Sequence, residues 1–206
     1  VILVDRLHDF VLERVWPILG GDLQNVALSA RTLAPLVRQE VAAALSDQTF
    51  GVLAESAPHR LQLLEVQRSI HQRRACGNSL ILRAIPWNGL GRTDLRHLSR
   101  LAATSQDDSC PSITVDEFET LERSSAVLRE NDRLEDAVAA LAAWLARSVT
   151  VHEVRHVADQ VMDKGLEMPL ECTPCDDSMS MRARAELSAW LSELAWSDSA
   201  YTSLLH

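Results

Sequence analysis

An alanine-rich segment from residue 134 to about residue 164 restricts the fold more than any other part of the chain. It contains neither Gly nor Pro, the residues that most often end or bend a helix. Apolar residues recur in it at steps of three and four positions, which places them on common faces of an α-helix. One stripe consists of Leu134, Val138, Leu141, Leu145 and Val149, and a second of Val154, Val157 and Val161. Because helices that are apolar on two sides are usually central, we predict one long helix at the centre of its domain.

The rest of the chain also carries helical patterns, separated by breaks that contain Gly, Pro or Ser. In the first half of the chain we predict a helix that ends at the Gly20-Gly21 break, a second from Asp22 to about Leu45 with a kink or split at Pro35, and a third over 59–74. A fourth helix is predicted from Thr93 or Asp94 to about residue 103. Two more are predicted after a Thr114–Glu117 capping box and over 179–196. Residues 79–85 form an apolar run that fits either a strand or a buried helix. The predicted fold class is mainly α, a helical domain with little or no β-sheet.

The polar segment 104–112 is the clearest connector in the chain. It divides an N-terminal helical region, residues 1–106, from a region of residues 107–206 that contains the long helix. The role of the first region is unknown, and it is a candidate surface for a protein partner. One continuous domain is the alternative, since 206 residues suffice for a single core.

The charge pattern excludes some classes of partner. The net charge is −9 and no long basic run is present, whereas nucleic-acid binding requires clustered Lys and Arg on phosphates. No run approaches 18 consecutive apolar residues, so we predict no membrane-spanning segment. We therefore expect no nucleic-acid partner for this chain.

Four cysteines, Cys76, Cys110, Cys172 and Cys175, permit two disulfides in three pairings. Reduced thiols or a second zinc site are the alternatives. Cys172 and Cys175 fit a local bridge or clasp, because no βαβ pattern surrounds their C-x-x-C spacing. Disulfides favour a location outside the cytoplasm, either periplasmic or secreted.

Within the long helix, residues 152–156 read H-E-x-x-H, a pattern typical of zinc sites. His152 and His156 are four residues apart and project from one face of a helix, so both imidazoles can hold one metal ion. Glu153 then stands beside the open coordination position. The competing interpretation is a pair of core histidines satisfied by hydrogen bonds. In either case a ring nitrogen needs a second acceptor, for which Asp159 is a candidate.

A catalytic zinc site needs a third protein ligand. Glu186 lies on the predicted helix 179–196, and its neighbours one turn away, Ala183 and Trp190, are apolar. That position predicts a carboxylate at the buried side of the helix, where it requires a partner or a metal. Glu193, Glu167 and Glu171 are alternatives.

The segment from about residue 145 to 195 resembles the gluzincin group of zinc metallopeptidases. In that group a second helix, often with the pattern E-x-x-A, follows the H-E-x-x-H helix, and Glu186-Leu187-Ser188-Ala189 matches this pattern. The resemblance implies that His152, His156 and Glu186 bind Zn²⁺. It also implies that Glu153 is the general base toward a zinc-activated water in peptide-bond hydrolysis.

An oxyanion donor is also required, and Tyr201 is a candidate together with His206. Trp87, in a Gly/Pro loop, is a candidate for the substrate pocket, whereas the spacing of Trp144, Trp190 and Trp196 favours core packing. The leading hypothesis is a zinc-dependent metallopeptidase. The alternative is a non-catalytic helical subunit of a larger assembly with a structural or vestigial zinc site, which the helical content and missing β-sheet favour.

Overall fold

A computed structural model of the chain describes residues 4–20, 23, 28–104, 110–161 and 178–205. These ranges contain eight α-helices and no β-strand. The helices are α1 (Val4–Phe10), α2 (Leu28–Ala44), α3 (Asp47–Gln72), α4 (Arg92–Thr104), α5 (Val115–Glu130), α6 (Leu134–Val161), α7 (Ser178–Trp196) and α8 (Ala200–Ser203). The prediction of a mainly α fold is confirmed.

Helix α6 is buried along its first stripe, where Leu134, Leu141 and Leu145 are almost inaccessible to solvent. The second predicted stripe is not buried by the described residues, since Val154, Val157 and Val161 are 58–78% exposed. The helix is therefore central over its first half only. By length and composition α6 could cross a membrane, but a core helix meets the same criterion, so this is weak evidence.

Helix α3 begins at Asp47, twelve residues before the predicted start, and the Ser46 hydroxyl caps it by accepting from the Thr49 amide. The helix continues through Pro58, and α2 likewise continues through Pro35 instead of splitting there. Gly20 packs against the Pro58 ring so closely that a Cβ at Gly20 would lie 3.0 Å from the proline Cδ.

The predicted capping box at the start of α5 is confirmed: the Thr114 hydroxyl accepts from the Glu117 amide, and the Glu117 carboxylate accepts from the Thr114 amide. Helix α4 begins at Arg92, so Thr93 and Asp94 lie in its first turn instead of capping it. Residues 79–85 are neither strand nor helix, although Leu82 and Ile85 are buried.

One hydrophobic core joins apolar residues from Val11 in the first turns to Leu145 in α6. Arg60 lies inside it, 1% exposed, and donates hydrogen bonds to the carbonyls of Leu12, Ile85 and Pro86. Burial lowers the pKa of the Arg60 guanidinium to about 10, although the charge of Glu13 raises it. The core draws on both sides of residue 106, and the proposed division there stays a prediction.

A disulfide joins Cys76, just after α3, to Cys110, before α5. It is weakly compatible with the predicted extracytoplasmic location. Six residues for which the sequence made predictions lie outside the described part of the chain: Asp22, Glu167, Glu171, Cys172, Cys175 and His206.

Candidate metal centre

The candidate site lies between α6 and α7, which pack on each other more extensively than any other pair of described helices. Ser148 of α6 contacts Glu193 of α7, whereas His156, farther along α6, contacts the earlier Glu186. The two helices therefore run antiparallel, and this arrangement brings a carboxylate of α7 to the face of α6 that carries the histidines.

Three of the residues predicted from the sequence converge on one point. The Nε2 atoms of His152 and His156 are 3.2 Å apart. The Oε2 atom of Glu186 lies 3.5 Å from the first and 3.6 Å from the second. These three residues also form the one group of potential ligand atoms found close together in the described part of the chain.

The triangle of these three atoms has the dimensions of a zinc site. Tetrahedral zinc with bonds of about 2.0–2.1 Å separates neighbouring ligand atoms by about 3.3 Å. The three observed separations of 3.2, 3.5 and 3.6 Å lie close to this value, so the three atoms are spaced as ligands of one zinc ion would be. A hydrogen bond between the two imidazoles is also consistent with 3.2 Å, which keeps the core-histidine interpretation open to experiment.

Glu193 supplies the second acceptor for the site. Its Oε2 lies 3.2 Å from Nδ1 of His152, and its Oε1 accepts from the hydroxyls of Ser148 and Ser203 at 2.6 and 2.5 Å. The carboxylate is buried. This contact is compatible with the tautomer of His152 that has its proton on Nδ1, in which Nε2 keeps a lone pair on the side of His156 and Glu186.

Asp159 does not contact either histidine in the way the sequence suggested. Its Oδ1 pairs with Nε of Arg155 at 2.9 Å, one turn earlier on the same helix. Arg155 Nε also donates to the buried hydroxyl of Ser188 on α7 at 2.7 Å. Asp159 therefore orients Arg155. The hydrogen bond from Arg155 to Ser188 joins α6 to α7 at a position two residues after Glu186.

A cavity of about 560 Å³ opens beside the triangle. Residues of α1, α6 and α7 line it, together with Ser203 of α8. Glu153 lines this cavity, and its side chain makes no hydrogen bond or ion pair with another described residue. The predicted general base and the three candidate ligands therefore line the same cavity.

Comparison with known proteins gives no match: no protein-family model, curated protein or solved structure is significantly similar to this chain. The interpretation of the site therefore depends on the geometry of its own residues.

Tyr201, the predicted oxyanion donor, does not line the cavity. It lies in α8, 43% exposed, beside a different depression that also involves Glu40 and Asp198. Its backbone amide donates to Glu40. Trp87 packs partly against the core, whereas Trp190 lines the cavity and stacks edge-on against His152 with ring centroids 5.4 Å apart.

Sequence reasoning missed Arg6 and treated Glu193 only as an alternative ligand. Glu186 was expected at the buried side, but its side chain is 50% exposed at the cavity, while Glu193 is the buried carboxylate. One signal was present: Glu186 and Glu193 are seven residues apart and so share a helix face. This shared face could have suggested that one of the two carboxylates is a metal ligand and that the other accepts a hydrogen bond from a ligand histidine.

Proposed function

We propose that this protein is a zinc-dependent metallopeptidase with a site of the gluzincin type. The observation that carries the proposal is the triangle of His152, His156 and Glu186, whose edges of 3.2, 3.5 and 3.6 Å suit tetrahedral zinc. The cavity on the open side supports a catalytic site over a closed structural one, because catalytic zinc requires an open position.

The proposal gives each residue of the site a role. His152, His156 and Glu186 would hold the metal, which when bound supplies a Lewis acid for the scissile carbonyl and lowers the pKa of a water molecule. Glu153 accepts a proton from the attacking water and delivers it to the leaving amine. Glu193 holds the ring of His152 in the tautomer that leaves Nε2 available.

The first test is the metal content of the purified chain. We expect about one zinc per chain by mass spectrometry in the wild type, and none in the variant His156→Ala. The control is His97→Ala, which removes an exposed histidine of α4 and should leave the zinc unchanged. A wild type without zinc, even after zinc is offered and the excess removed, would make the two histidines a hydrogen-bonded pair.

The second test separates catalysis from metal binding. Glu153→Gln should keep the zinc and lose at least about 100-fold of the peptide-cleaving activity, since general base catalysis contributes about 10²–10⁴-fold. Glu135→Gln, an exposed glutamate in the first turn of the same helix, is the matched control and should retain full activity. Zinc in the wild type with no cleavage of any peptide library would leave the non-catalytic helical subunit as the better account.

A further inference from the structure

Helix α1 contributes Arg6, Leu7 and Phe10 to the cavity that the metal centre also lines. Leu145, Val149 and Trp190 provide further apolar surface on the side of α6 and α7. A ligand in this cavity therefore meets both charged groups and apolar side chains.

The charges around the cavity are unevenly distributed. Its lining includes three carboxylates, of Glu153, Glu186 and Glu193, and Arg6 is the one Lys or Arg among the described lining residues. Glu193 is already satisfied by two hydroxyls and a histidine. Glu186 faces the histidines. Glu193 therefore contacts residues of α6 and α8, Glu186 contacts residues of α6, and neither carboxylate forms an ion pair with Arg6.

The side chain of Arg6 forms no ion pair or hydrogen bond with another described residue. Arg6 is exposed, and none of its five N–H donors is used by another described residue. A guanidinium presents paired donors that match the two oxygens of a carboxylate, which makes a carboxylate its best small partner in a cavity with apolar walls.

We propose that Arg6 binds the C-terminal carboxylate of a short peptide substrate whose last side chain is apolar. This inference rests on the proposed peptidase function, because it takes the ligand to be a peptide. The apolar side chain lies among Leu7, Phe10 and Trp190, and the scissile bond lies toward Glu153. Since Arg6 and Glu153 line one cavity, cleavage occurs within a few residues of the substrate's C-terminus.

The test compares N-acetylphenylalanine with its amide, which differ only in the carboxylate, by ligand-observed NMR titration of the full chain. It uses three proteins: the wild type, Arg6→Ala, and the control Arg14→Ala, which removes an exposed arginine that does not line this cavity. We expect the wild type and Arg14→Ala to bind the acid about five- to tenfold more tightly than the amide, and Arg6→Ala to bind both equally.

Repeating the titration after metal removal separates this inference from the proposed function. A preference for the acid that depends on Arg6 in both states supports the inference even if no peptide is cleaved. Equal binding of acid and amide by the wild type overturns it. A preference that persists in Arg6→Ala also overturns it, because the carboxylate is then bound elsewhere, for instance by the metal.

Discussion

At the scale of single residues, the orientation of His152 depends on a carboxylate supplied by another helix. Glu193 is only 6% exposed, and a buried carboxylate is stable only when its oxygens are hydrogen-bonded or paired. Ser148, Ser203 and His152 satisfy this requirement together. The same contacts that stabilise the buried charge thus hold the imidazole with Nε2 directed at Glu186 and His156.

Replacing Glu193 should weaken metal binding without removing a ligand. We expect Glu193→Gln to lower zinc affinity about tenfold and Glu193→Ala up to about 100-fold, the range typical of residues that orient a metal-binding histidine. Competition with a chromophoric chelator measures the affinity. The matched control is Asp198→Asn, which removes a 62% exposed carboxylate paired with Arg147. An unchanged affinity in Glu193→Ala would show that Glu193 only stabilises the helix pair.

Residues close in sequence were easier to assign than residues brought together by packing. The spacing of His152 and His156 follows from helix geometry alone, so the sequence could predict that pair. The acceptor for His152 could not be assigned, because it depends on how far α7 is shifted along α6. Asp159 was the local choice, but an arginine one turn away on the same helix competes for it.

At the scale of elements, the site depends on how closely α7 approaches α6. Ser188 and Ala189 are almost completely buried, and their small side chains allow the helices to come close. The apolar spacing of this helix predicts that Leu187 and Leu191 face inward, and that prediction is wrong, since both are at least 40% exposed. The apolar spacing suggested the wrong face because α7 buries small and polar residues against the polar part of α6.

Enlarging Ala189 should separate the two helices. We expect Ala189→Leu to lower the free energy of unfolding by about 1–3 kcal/mol, because added methyl groups in a packed interface force side chains and backbone to shift. It should also reduce zinc affinity, since Glu186 lies three residues earlier on the same helix. Urea denaturation and the chelator assay measure the two effects. Leu191→Ala, at a 52% exposed position, should change stability by less than about 0.5 kcal/mol.

The junction of α3 and α5 is held by a pair of charges. Burial raises the pKa of Glu117. Hydrogen bonds from Arg73, Thr114 and Ser69 together lower it by more than burial raises it, so the pKa in the folded chain is below its ordinary value of 4.5. A carboxyl whose pKa is lower in the folded chain stabilises the fold fully above pH 4.5. This contribution is lost as the pH falls through the folded pKa.

The stability difference between wild type and Glu117→Gln should therefore depend on pH. The variant should be less stable at pH 7, and the difference should narrow below about pH 4.5, as urea denaturation at several pH values would show. Glu119→Gln, an exposed glutamate of α5, is the control and should show no comparable pH-dependent difference. A difference that stayed constant from pH 7 to pH 3 would mean that the Arg73–Glu117 pair does not act through the charge of Glu117.

The start of α3 shows why element boundaries were less predictable than element types. The helical spacing of Leu61, Leu64 and Ile70 predicted a helix that begins at about His59. In the structure a cap at Ser46 begins the helix a dozen residues earlier. The contact between the Pro58 ring and Gly20 comes from a distant part of the sequence, which a local pattern does not reveal.

At the scale of the whole molecule, helical periodicity predicted most elements but not their arrangement. The core joins the first turns to α3, α5 and α6, and a buried arginine connects three of its segments through backbone carbonyls. Arg60 has no apolar signature in the sequence, so no hydrophobic pattern could place it in the core. The sequence favoured a local bridge between Cys172 and Cys175, which leaves Cys76 and Cys110 as the second pair, but only the fold shows that these two are close enough to bond.

The disulfide should stabilise the whole chain, because it closes a loop across 34 positions of sequence. In the chain-entropy account such a crosslink contributes about 3–4 kcal/mol. The double variant Cys76→Ser/Cys110→Ser should lose about that much free energy of unfolding in urea. Its zinc content should not change, because the candidate ligands on α6 and α7 are held by their own contacts.

Reductant provides the control, since the chain also contains Cys172 and Cys175. Reducing the wild type should lower its stability to that of the double variant, whereas reducing the double variant should have little further effect. If reductant leaves the wild type unchanged, Cys76 and Cys110 are not bonded in solution, and the argument for a location outside the cytoplasm loses its support. If the double variant instead loses zinc, the junction of α3 and α5 must be coupled to the α6–α7 pair through the shared core.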